Sequence, residues 1–119
     1  MQYIKVAKID EIPDNRGLAV RVGERPVALF KVGDEIFALK DVCPHLGASM
    51  NRGFILENKI VACADHGWTF RMEDGISPDI PDCSLPCYDV KVEGDDVYVS
   101  SKFREPGLSQ AKPVSGKQT

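Results

Sequence analysis

The sequence predicts an all-β domain. It carries short β-branched and aromatic runs, Gly and Asp turn pairs between them, and almost no 3.6-residue periodicity. Tyr3–Ile9 alternates as a short strand of mixed faces, and Gly17–Val22 is a second strand. Val27–Val32, Gly33-Asp34 and Glu35–Leu39 read as a hairpin, because two apolar runs flank a pair of turn formers. Lys59–Ala62 and Trp68–Met72 are further strands, the latter closed by Glu73-Asp74-Gly75. Tyr88–Glu93, Gly94-Asp95 and Asp96–Ser100 form a second hairpin with near-perfect alternation. Such a series suggests a small antiparallel sandwich or barrel.

The 119 residues suit a single domain with an adequate but thin core. Composition shifts near Ser101 to a polar Ser, Lys, Gln and Pro stretch, so a folded domain of 1–106 and a flexible tail of 107–119 are expected. A net charge of −3, with basic residues scattered among acids, argues against a nucleic-acid surface. No stretch nears the roughly 18 apolar residues of a membrane span, and Met1–Asp10 lacks the apolar core of a signal peptide. A cytoplasmic monomer is expected, with its cysteines held as thiols or metal ligands.

Two short knuckles carry the chemistry. Cys43-Pro44-His45-Leu46-Gly47 has Cys-x-His spacing and Cys63-Ala64-Asp65-His66-Gly67 has Cys-x-x-His spacing. These hold both histidines of the chain. A lone His or Cys is usually structural; two His each within three residues of a Cys, on two similar loops, are hard to explain that way. The trailing glycines permit tight turns and close approach of backbone N–H groups.

Two Cys and two His can close a tetrahedral zinc site, and a zinc-stabilised protein-binding module is one reading. Zinc fingers, however, usually pair Cys with Cys and His with His along the chain, whereas each loop here is mixed. A 2Fe–2S cluster gives the mixture a purpose, with both thiolates on one iron and both imidazoles on the other. Two ferric ions, two sulfides and two thiolates sum to a neutral centre, where four thiolates would leave a dianion. Adding an electron to a neutral centre costs less, in line with potentials of about −150 to +300 mV against about −400 mV for plant-type clusters. The plant-type cysteine spacing is absent.

These knuckles, with Trp68-Thr69-Phe70 after the second, resemble the Rieske family, and the resemblance runs from about Tyr3 to Ser100. It implies a Rieske-like β-sandwich or barrel with a cluster-binding subdomain of two loops, about 41–50 and 63–70. It further implies that Cys43 and Cys63 ligate one iron and His45 and His66 the other, the His iron near the surface. Respiratory members carry a loop-bridging disulfide; the matching positions here are Ala48 and Asp65, so that bridge cannot form. Trp68 and Phe70 stand where those members place Ser and Tyr hydroxyls near the cluster sulfurs. The potential is therefore expected low in the Rieske range.

Gly75-Ile76-Ser77-Pro78 and Asp82-Cys83 resemble the ferredoxin components of aromatic-ring oxygenases. The chain itself is not an enzyme by this reading. Both His are committed, so no mononuclear iron site of two His and a carboxylate can be assembled. No phosphate-cradling glycine loop appears either. The resemblance implies a one-electron carrier between a flavin-dependent reductase and a terminal oxygenase. The small subunit of an NADH-dependent nitrite reductase, bound to its large subunit, is the alternative; some of that group lack the ligand set that this chain keeps. Pro86 matches either a cluster-covering third loop or an ordinary edge proline. Trp68 reads as a core residue beside a loop or as a shield against water. Cys83 and Cys87 read as structural thiols, with a disulfide or redox role as alternatives, and as ligands only if the His assignment fails.

Overall fold

A computed structural model of the chain describes residues 2–14, 16–43, 49–57, 59–64, 67–78 and 84–104. Among the described residues nine strands make two antiparallel sheets: β1 (Tyr3–Lys8), β2 (Leu18–Val22), β3 (Arg25–Val32), β4 (Glu35–Lys40), β5 (Phe54–Leu56), β6 (Ile60–Ala62), β7 (Thr69–Arg71), β8 (Cys87–Glu93) and β9 (Asp96–Arg104). The large sheet has the order β1-β9-β8-β4-β3-β2, and its edge strands β1 and β2 come into contact, giving a nearly closed barrel. The small sheet, β5-β6-β7, lies between the first knuckle and the loop that leads to β8. Helical structure among the described residues is limited to single 3-10 turns at Ile9–Glu11 and Met50–Arg52.

Strands β3 and β4 are buried on both faces, which explains why they read as continuous apolar runs rather than as alternation. Val27, Leu29, Ile36 and Ala38 point into the barrel, with Val22, Tyr88, Val90, Val97 and Val99. Ala28, Phe30, Phe37 and Leu39 form the floor of a second core beneath the small sheet, with Met50, Val61, Phe70, Met72 and Leu85. In the small sheet Ile55, Val61 and Phe70 are register partners facing this second core, while Phe54 and Leu56 point outward and are exposed.

Several boundaries differ from the sequence expectation for local reasons. β1 stops at Lys8 because Ile9 donates its N–H to the Asp95 carbonyl and enters a 3-10 turn. Gly17 precedes β2, its N–H bonded to Asn51 O at 3.2 Å. β6 begins at Ile60, since Lys59 lies in the left-handed region with φ 59°. Trp68 precedes β7, its carbonyl turned back to accept the Cys63 N–H. β9 runs past Ser100 to Arg104, where Phe103 and Arg104 pair with Tyr88 and Cys87, so the compositional shift at Ser101 begins inside a strand. Strand β5 had no counterpart in the pattern. The expected tail, 107–119, lies outside the described residues.

Candidate functional site

Cys43 follows β4 by three residues and Cys63 follows β6 directly. Both thiols are buried, 1% and 2% exposed, and both face the second core, among Met50, Phe70, Met72 and Leu85. Neither is part of a disulfide. Two knuckles 20 residues apart in sequence thus bring their sulfurs into one apolar cluster.

The base of the first knuckle is tied to the backbone. Lys40 donates its N–H to Pro86 O at 2.9 Å, and Asp41 donates its own to Pro26 O at 3.1 Å. The buried Asp41 carboxylate then accepts both the backbone N–H and the side-chain Nδ2–H of Asn51, each at 2.7 Å. These bonds join the two ends of the segment that carries Cys43 and His45. The second knuckle is a tight turn: Cys63 N–H bonds Trp68 O at 2.7 Å and Gly67 N–H bonds Cys63 O at 2.9 Å. Gly67 has φ +74°, and a Cβ there would meet nothing within 4 Å, so glycine is favoured by conformation rather than by space.

Both described ends of the β7–β8 connection pack on the same core, through Met72 and Leu85. Asp74 accepts from Ile76 N–H at 3.1 Å and pairs with the Arg71 guanidinium through both carboxylate oxygens. The hydrogen bond from Arg71 is the main reason that the Asp74 pKa is lowered. Gly75 and Leu85 are joined by a 2.8 Å backbone bond, and Ile76 bridges Ser84. Pro86 accepts the Lys40 N–H one step beyond the Leu39–Cys87 pair, so it extends the β4–β8 ladder as an ordinary edge proline does.

Of the sequence-predicted site, the structure brings Cys43 and Cys63 together; His45 and His66 lie outside the described residues, as do Ala48, Asp65 and Cys83. Among the described residues no three His, Cys, Asp or Glu side chains converge. The pair of buried thiols, facing one core, fits a group held by two thiolates on one side. Trp68 is half-buried against this core, as the reading of a core residue beside a loop expects. Cys87 is a buried thiol within 3.6 Å of Leu85 O and 3.8 Å of Met72 O. The bracing pairs Asp41–Asn51 and Arg71–Asp74 were not anticipated, although an Asp two residues before a ligand-type Cys was visible in the sequence.

Residues 2–100 match the family model of the Rieske-like [2Fe-2S] domain. The biphenyl dioxygenase ferredoxin subunit of Pseudomonas sp. (strain KKS102) is 34% identical over 100 residues, covering 83% of this chain and 92% of that protein. A chain in the complex of reduced oxygenase and oxidized ferredoxin in carbazole 1,9a-dioxygenase is 31% identical with a TM-score of 0.72, covering 90% of this chain and 97% of that one. A protein described as the small subunit of an NADH-dependent nitrite reductase, from Mycobacterium tuberculosis, is 27% identical with a TM-score of 0.77, covering 82% of this chain and 93% of that one.

Proposed function

This chain belongs to the Rieske-like [2Fe-2S] domain family, and on that premise we propose that it is the ferredoxin component of a ring-hydroxylating dioxygenase system. When bound, the cluster supplies a site that accepts and releases a single electron. Cys43 and Cys63 would hold one iron, and His45 and His66 the other. The carrier domain of this proposal spans residues 1–106, with 107–119 outside it. The single observation supporting this assignment is that both knuckle thiols, unbridged, are buried in one cluster.

The residues around the thiols have distinct tasks. Phe70, Met72 and Leu85, fully buried, keep water from the sulfur side. The Asp41–Asn51 bonds fix the entry of the first knuckle, and the Gly67 turn aims the second. Electrons would come from a flavin-dependent reductase and leave for a terminal oxygenase. No helix among the described residues is long and apolar enough to cross a membrane. The family match sets aside the zinc-stabilised module. The nitrite reductase likeness supports a second redox reading, a small subunit docked on its large subunit.

Protein purified under anaerobic conditions decides the cofactor: two irons and two sulfides per chain, with an average g value in the reduced state below that of all-cysteine clusters. A colourless chain with one zinc overturns the reading. Mixing the reduced protein with an oxidised ring-hydroxylating oxygenase or with a nitrite reductase large subunit then separates the partners. Fast oxidation by the oxygenase alone supports the dioxygenase system, and oxidation by the nitrite reductase subunit alone supports the second.

A further inference from the structure

We infer that Asp41 is a potential-tuning residue, a fixed buried negative charge that holds the reduction potential of the neighbouring cluster down. The inference rests on the cluster assignment above. Asp41 is two residues from Cys43, which bounds their Cα separation at about 7 Å. It is 7% exposed, so bulk water and salt screen its charge poorly.

Its partners among the described residues are neutral. Among the described residues the carboxylate is held by the Asn51 backbone N–H and Nδ2–H, and no Lys or Arg pairs with it. Amide donors stabilise a carboxylate without cancelling its net charge. Asn51 is itself immobilised, since its carbonyl accepts the Gly17 N–H and its Cα would lie 2.9 Å from a Cβ at Gly17. The clasp therefore fixes where the charge sits. A negative charge held near the sulfur-ligated iron raises the energy of the reduced state, which carries the extra electron, more than that of the oxidised state. A clasp needed only for folding could have used a neutral pair of the same shape.

The test compares Asp41→Asn and Asn51→Ala in cluster-loaded protein by redox titration, with iron and sulfide content and EPR measured on each. Asp41→Asn, near-isosteric and neutral, should shift the midpoint upward. Asn51→Ala keeps the charge and removes one of the two donors that partly offset its field, so its midpoint should fall below that of the parent. A purely structural clasp would lower thermal stability in both without moving the midpoint of the loaded fraction; that result overturns the inference, as does an upward shift in Asn51→Ala. Should Asp41→Asn fail to load, the sign of the Asn51→Ala shift still decides. Cofactor content and spectra of the parent protein judge the cluster reading separately.

Discussion

Gly75 packs so closely against Leu85 that a Cβ built on Gly75 would stand 1.9 Å from the Leu85 carbonyl oxygen. The same glycine has φ +78° and accepts the Leu85 N–H at 2.8 Å. Alanine here combines a left-handed backbone, costing about 1–2 kcal/mol, with a backbone clash that the β7–β8 connection relieves only by moving off the second core. Gly75→Ala should lose more than ~2 kcal/mol and melt roughly 10 °C or more below the parent. Gly94→Ala is the control: φ is +63° with nothing within 4 Å of the new methyl, so only the conformational cost of about 1–2 kcal/mol applies. Equal melting temperatures for the two variants would remove the proposed close packing from the account.

This pair also marks what the sequence could reveal. Asp74-Gly75 reads as a turn from composition alone, but that Gly75 meets Leu85 is a tertiary fact with no local signal. The hairpins β3–β4 and β8–β9 were legible because turn formers and strand residues agree there. Strand β5 was not, since Phe54–Leu56 is three residues long and expresses no period. The Cys43 and Cys63 knuckles were legible from ligand chemistry and spacing. The Asp41–Asn51 brace was not, because partners ten residues apart carry no periodicity, and the Arg71–Asp74 pair, three apart in a turn, has no hydrophobic pattern to announce it.

Cys63 and Cys87 are both buried thiols in one core, yet only Cys63 lies in a knuckle. Cys63→Ala should yield protein with no intact cluster and a lower melting temperature. Cys87→Ala should keep the parent's iron and sulfide content and lose about 1 kcal/mol, the effect of one small buried group. Metal and sulfide analysis of both variants checks this; loss of the cluster from Cys87→Ala would make it a ligand and undo the His assignment.

Asp74 should contribute stability with a defined pH dependence. Its pKa is lowered from 3.8, chiefly by the hydrogen bond from Arg71 and also by the Ile76 N–H, so folding favours the ionised form. A group depressed in the folded state stabilises fully above its unfolded value and loses that contribution as pH falls through the folded value. Asp74→Asn should therefore unfold about 1 kcal/mol more easily from pH 5 to 7, a modest effect because Arg71 is half exposed. The gap should narrow below about pH 4. Denaturant unfolding followed by far-UV circular dichroism at pH 6 and pH 3.5 measures it, and a gap that widens in acid contradicts the assigned sign.

Phe70 is fully buried in the core that holds both cysteine thiols, at a position where the respiratory relatives carry a tyrosine hydroxyl near the cluster sulfur. Phe70→Tyr places an O–H donor inside that core without altering the ring. If the hydroxyl reaches a sulfur, it stabilises the reduced state more than the oxidised state, because the extra electron makes the sulfur a better acceptor. A differential of about 1 kcal/mol corresponds to roughly 40 mV in a one-electron couple. The midpoint should rise by that order with iron and sulfide content unchanged. If the hydroxyl instead stays unpaired in the core, stability falls by about 1–3 kcal/mol and the midpoint does not move. Redox titration and thermal melting of the same preparation separate the two outcomes, and the second would show that the ring of Phe70 points away from the sulfurs.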